Sequence, residues 1–257
     1  MWIVGIAAND LFLLLGAGLL AGAMNAVTGG GTFVSLPALT VVGLPGTVAN
    51  ASSSVALLPG ALASAWAYRR DMRPVEGVSI RAMSLLSLAG GAVGAVLLLV
   101  TPEAAFDLII PWLLLLATVT LAAGPRLARA LARVGLRAGA GLVLFAQFLL
   151  GIYGGYFGGA VGLMMLAAWS LLTEADIVAL TPLRTLMLAA TNTVAVLLFV
   201  VSGNVSWVAT LVVMAGAVAG GWLGAQAGRR LPAVVLRGLV LAITVGTTAI
   251  FFWRAYG

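Results

Sequence analysis

The chain has 257 residues, 63% of them hydrophobic and 8% charged, with a formal net charge of +6 at pH 7. Soluble domains carry about 25% charged residues, so this composition excludes an ordinary soluble fold and points to a helical membrane protein built as one polytopic domain. Cysteine and histidine are both absent, which excludes a disulfide framework, thiolate chemistry and an imidazole relay, and no metal or other cofactor is expected.

In chain order, the first apolar segment covers about 11–28. It has no basic residue before it, and the apolar run continues past Ala21, Gly22 and Ala23. It therefore reads as a span and not as a cleaved signal peptide. The segment runs into a cluster containing Asn25, Gly29, Gly30, Gly31 and Thr32. Each glycine inside a helix costs about 1 kcal/mol relative to alanine, so three in succession predict a break. A new helix starting at Thr32 would aim its N-terminal N–H donors into the gap, an arrangement that suits an anion. A seam of small residues for close helix packing is the competing reading. A Walker phosphate loop is excluded, because no Gly-Lys-Ser/Thr follows.

The second segment, 32–43, is short and reads as half of a broken or re-entrant pair. The third, 50–68, opens on Asn50, Ser52, Ser53 and Ser54. Hydroxyls donate hydrogen bonds without carrying charge and suit an oxyanion; an N-cap with small-residue packing explains them equally. Segments at 82–100 and 105–123 complete the first half, and residues 125–138, with four arginines, form a linker.

The second half repeats the pattern at 139–157, 161–172, 178–202, 206–227 and 233–253. A shift of 129 residues lays Gly22 on Gly151 and Gly29-Gly30 on Gly158-Gly159, which predicts a second break. Further on comes Arg184, next to Thr185 and eight residues before Asn192. Arginine inside a span costs about 2.5–3.5 kcal/mol and usually lines a polar pathway. Its planar fork pairs with oxyanions, although a side chain two turns from the interface can also snorkel out. Tyr153, Tyr156, Phe157 and Trp169 near the second break suit an aromatic substrate ring, but core packing is the preferred reading.

The duplication is visible in the glycines. Ala89, Gly90, Gly91, Gly94, Ala95 and Pro102 recur as Ala219, Gly220, Gly221, Gly224, Ala225 and Pro232. Residues 1–124 and 139–257 are thus read as two repeats. With five segments each, the second enters from the opposite side, and the repeats are inverted around a midplane site. Arginines decide the orientation. Arg69, Arg70, Arg73, Arg81, Arg126, Arg129, Arg133, Arg137, Arg229 and Arg230 fall on one side, and Arg254 falls on the other with Glu103 and Asp107. The positive-inside rule makes the linker cytoplasmic and both termini external. The basic balance therefore reports membrane orientation, not nucleic-acid binding.

The paired repeats, the three-glycine break followed by Pro37, the Asn50–Ser54 cluster and the basic residue early in the eighth segment resemble the TauE/SafE sulfite exporter family, also called the toluene sulfonate uptake permeases. That resemblance implies transport of sulfur-containing oxyanions such as sulfite, sulfoacetate or toluene sulfonate across the bacterial inner membrane. Members often carry lysine where this chain has Arg184; arginine keeps the charge and adds a fork. The expected partners are a small anionic substrate and membrane lipid. An enzyme is excluded, because all seven carboxylates sit at segment ends or in loops and no histidine can act as a base. A carrier of another small organic or inorganic anion and a non-transporting structural subunit are the alternatives.

Overall fold

A computed structural model of the chain describes residues 7–75, 77–132, 139–172, 177–230 and 233–257. These form ten helices: α1 (Ala8–Thr28), α2 (Thr32–Val41), α3 (Gly46–Ala67), α4 (Ile80–Val100), α5 (Glu103–Ala132), α6 (Ala140–Tyr156), α7 (Val161–Leu172), α8 (Ile177–Val201), α9 (Trp207–Arg230) and α10 (Ala233–Tyr256). The described residues contain no strand, only one antiparallel bridge between Val75 and Val78. The fold is all-α and polytopic. Seven helices are long and apolar enough to cross a bilayer, whereas α2 and α6 are shorter apolar helices. At 1.5 Å per residue α2 reaches roughly 15 Å and α7 roughly 18 Å, well short of a hydrocarbon core about 30 Å thick.

Local chemistry sets many helix ends. The Ala7 N–H donates to Asp10 Oδ2 at 3.1 Å where α1 begins. Ser79 accepts the Ala82 N–H at 3.2 Å and caps α4. Glu103 Oε2 accepts the Thr47 hydroxyl at 2.7 Å, tying the start of α3 to that of α5. Within the stretch 125–138, α5 continues as far as Ala132. Its leucines, arginines and alanines are strong helix formers, so the helix propagates beyond the span. Residues 133–138 lie outside the described residues.

In chain order the described helices divide into two sets, α1–α5 and α6–α10. Thr32 and Val161, which open α2 and α7, stand 129 residues apart. Packing crosses between the sets: α1 lies along α9, and α4 lies along α6. The duplicated glycine motifs form these two interfaces. A Cβ on Gly220 would collide with the Leu19 carbonyl, and one on Gly224 would stand 2.5 Å from Ala23 Cα. In the other pair, a Cβ on Gly94 would collide with the Ile152 carbonyl, and one on Gly155 with the Gly91 carbonyl. Lipid tails are as apolar as leucine, so helices gain by close van der Waals contact, and glycine permits the closest approach.

The outer surface is as apolar as the interior. Phe12, Trp222 and Trp253 are more than two-thirds exposed, which in water would be a severe aggregation liability and in lipid is the expected exterior. Steric collision makes a stability prediction. Gly220→Val and Gly94→Val should each lower the melting temperature of the purified protein, by the about 1–3 kcal/mol typical of overpacking. Gly16→Ala, inside α1 with nothing within 4 Å of its Cβ, should not lower it and should raise it slightly, since alanine is the better helix former.

Candidate functional site

Both glycine breaks form. At the end of α1 the chain reverses through Gly29 at φ 78°, and past α6 it does so through Gly158 at φ 77°. Glycine adopts this left-handed conformation without the Cβ penalty other residues incur. The two residues stand 129 positions apart.

A small cavity of about 20 Å³ lies between the breaks. Asn25, Gly29 and Thr32 line it from the first break, and Gly158 lines it from the second. Ser54 and Leu57 of α3 and Leu188 and Asn192 of α8 complete the wall. The polar groups are neutral amides and hydroxyls, which offer hydrogen bonds without fixing a charge. A volume of this size holds about one water molecule, so any larger guest requires the walls to part.

Arg184 sits four and eight residues before Leu188 and Asn192, on the same face of α8 and one turn from the cavity. Its side chain runs against the first turn of α7: a Cβ on Gly162 would lie 3.4 Å from Arg184 Cδ and 3.7 Å from its Nε. That turn is the positive end of the α7 dipole. Arg184 Nε is buried and has no hydrogen-bond partner. Arg184 as a whole is half-buried, and a cation with its Nε unpartnered beside a helix N-terminus is an electrostatically unfavourable pairing that an anion would relieve. Glu174 and Asp176, the acids nearest in sequence, lie outside the described residues.

The structure thus gathers Asn25, Gly29, Ser54, Gly158 and Asn192 around one cavity, with Arg184 one turn away. The other candidates do not line this cavity. Asn50 donates from Nδ2 to the Tyr156 carbonyl at 2.8 Å, closing the end of α6, while its Oδ1 is buried without a partner. Ser52 accepts the Ser206 N–H at 3.0 Å. Ser53 pairs with Ser35 at 2.6 Å, and Ser35 also donates to the Gly31 carbonyl at 3.1 Å. Thr185 bonds back to the Pro182 carbonyl at 2.7 Å. Gly30 is buried outside the cavity lining. Gly31 and Gly159 are tight spots: a Cβ on Gly31 would lie 2.7 Å from the Ala21 carbonyl, and one on Gly159 would strike the Phe157 ring.

Three cavity residues lay outside the sequence-derived set. Thr32 follows the glycine run directly, Leu57 is one turn beyond Ser54, and Leu188 lies midway between Arg184 and Asn192. Helical spacing from known members could have found all three. The aromatics near the second break belong to the core. Phe157 and Trp169 are fully buried, and the hydroxyls of Tyr153 and Tyr156 reach Leu113 O and Thr101 Oγ1.

A polytopic helical bundle with two glycine-broken helices around a small polar cavity has the form of a membrane transporter. The chain belongs to the sulfite exporter TauE/SafE family, whose model matches residues 14–251, and it is a membrane transporter of that family. A probable membrane transporter protein of Haemophilus influenzae is 26% identical over 244 residues, covering 95% of each chain. The probable membrane transporter protein YfcA of Escherichia coli K12 is 28% identical over 232 residues, covering 87% of this chain and 84% of its own. A probable membrane transporter protein, ORF9, of a Sinorhizobium species is 23% identical over 246 residues, covering 93% of this chain and 91% of its own. No solved structure matches the chain.

The serines separate frame from cavity by experiment. Ser53→Ala removes a buried inter-helix hydrogen bond and should lower stability by about 1 kcal/mol. Ser54 donates only to the Asn50 carbonyl of its own helix, at 3.0 Å. Ser54→Ala should therefore melt within error of the parent protein in the same thermal scan.

Proposed function

We propose that this protein carries sulfur-containing oxyanions, such as sulfite, sulfoacetate and organosulfonates including toluene sulfonate, across the bacterial inner membrane. The observation that carries the reading is Arg184, whose buried Nε lacks a partner while its side chain lies on the first turn of α7. An oxyanion bound there would meet a guanidinium fork and helix N-terminal donors together. Ser54, Thr32, Asn25 and Asn192 would then donate to its remaining oxygens from the cavity wall. Leu57 and Leu188 supply apolar contact for a substituent on sulfur.

The two sets of helices are read as inverted repeats, residues 1–124 and 139–257, joined through the basic stretch 125–138. Each contributes one broken helix to the site, so rocking one repeat against the other would open the cavity to alternate sides. The arginine-rich side is assigned to the cytoplasm and both termini to the outside. For a monoanion the inside-negative potential favours exit by about 2.3 kcal/mol per 100 mV, so export needs no coupling ion. The protein is read as a carrier and not as an enzyme; binding and reorientation need no nucleophile–base pair.

Binding measured on purified variants tests the site. Arg184→Ala should abolish binding of sulfite and toluene sulfonate while the protein stays folded, and Arg184→Lys should retain part of it with altered preference. An alanine variant that binds every such anion as the parent does would refute the proposal, and one that loses a different anion instead would assign another substrate. Ser54→Ala should be milder, costing about 0.5–1.5 kcal/mol of affinity.

Orientation is tested separately in this cysteine-free chain. A single cysteine near Arg133 should resist impermeant thiol reagents applied to intact cells, and one near Gly203 should be labelled. Labelling near Arg133 from outside would reverse the topology.

A further inference from the structure

The helices α3 and α4 both pack on α8 but scarcely touch each other. The gap between them is an open groove of about 800 Å³ floored by α8, within the about 300–1,000 Å³ range of small-molecule sites. Leu62 and Trp66 of α3, Leu88 of α4, and Leu186 and Ala190 of α8 make it almost wholly apolar. Its one charged lining residue is Arg69. That guanidinium is held in place: its carbon lies 4.2 Å from the centre of the Trp66 ring, and Nη1 donates to the Trp66 carbonyl at 2.7 Å. Arg70 and Arg73 are exposed in the connection that follows, which also carries two acids, Asp71 and Glu76, and among the described residues Asp71 is exposed.

We propose that this groove binds one anionic phospholipid, with an acyl chain between α3 and α4 and the phosphate at Arg69. The charge decides the occupant. A zwitterionic lipid gains little from a basic cluster at the interface, whereas each arginine near the surface attracts an anionic headgroup by about 1 kcal/mol. The apolar lining rejects a small inorganic anion, which would leave its hydration shell without replacement hydrogen bonds. The site has a consequence for the cavity. Ala189 and Ala190 floor the groove on one face of α8, while Leu188 and Asn192 line the cavity on the other. A lipid seated in the groove therefore braces the helix that forms one wall of the cavity. This inference does not depend on which anion is transported.

The test reconstitutes the full chain in nanodiscs containing equal phosphatidylglycerol and phosphatidylcholine and counts retained lipid by native mass spectrometry. The parent protein should retain phosphatidylglycerol about fivefold over phosphatidylcholine, the ratio that one such arginine supports. Arg69→Gln should lower that preference severalfold, any remainder coming from Arg70 and Arg73. Ala63→Trp, at an exposed position on the groove wall, should reduce retention of the lipid itself, and both variants should melt as the parent does in lipid-free detergent. No preference in the parent, or an undiminished preference in Arg69→Gln, would overturn the assignment. Displacement of the retained lipid by dodecane sulfonate, with loss of Arg69 abolishing sulfonate retention, would give the groove to an amphiphilic anion and overturn it equally.

Discussion

Close backbone contact between glycine-bearing helices is the constraint from which the rest of the architecture follows. Gly18 and Gly22 of α1 face Val213 and Ala217 of α9, and Gly220 faces Leu19 in return. The same arrangement ties α4 to α6 through Gly90, Gly94, Gly151 and Gly155. In lipid such contact replaces the hydrophobic drive that assembles soluble bundles. Because each interface joins one set of helices to the other, α1 and α6 are held by partners across the molecule. Their broken ends at Gly29 and Gly158 are thereby brought to a common cavity.

A second device secures the α7 side of that cavity. Gln147 of α6 donates to Ser87 of α4 at 2.8 Å and accepts from Trp169 of α7 at 3.1 Å. Thr191 of α8 reaches the Ser87 carbonyl at 3.4 Å. Gln147, Ser87, Thr191 and Trp169 are all fully buried, so each polar group needs a partner at hand, and four helices are held in register by the hydrogen bonds that satisfy them. The register matters for Arg184. It keeps the first turn of α7 against the side chain of α8 that carries the charge.

On the proposed reading, neutral and charged groups are divided in a way that suits reversible anion binding. The cavity offers amides and hydroxyls, each worth a modest net hydrogen bond, while Arg184 stands one turn away. Carriers must release what they bind, and a single cation flanked by neutral donors holds an anion less tightly than a cluster of cations would. The frame residues Asn50, Ser52 and Ser53 stiffen α3 against α6, α9 and α2. That leaves Ser54 to the cavity.

The class was legible in the sequence, because hydropathy, the glycine duplication and the arginine distribution are properties of the linear chain that lipid reads directly. So were the two breaks: three glycines in succession disfavour a helix, and the structure starts α2 at Thr32 as expected. The sorting of site from frame was decided only in three dimensions. Four neighbouring polar residues, Asn50, Ser52, Ser53 and Ser54, look alike in the sequence. A helix turns 100° per residue, so each meets a different neighbour, and only Ser54 meets the cavity. The same holds for the glycines. Gly29 and Gly158 are required by a left-handed backbone and Gly94 and Gly220 by a touching helix, a distinction set by what the partner chain segments place against each Cα.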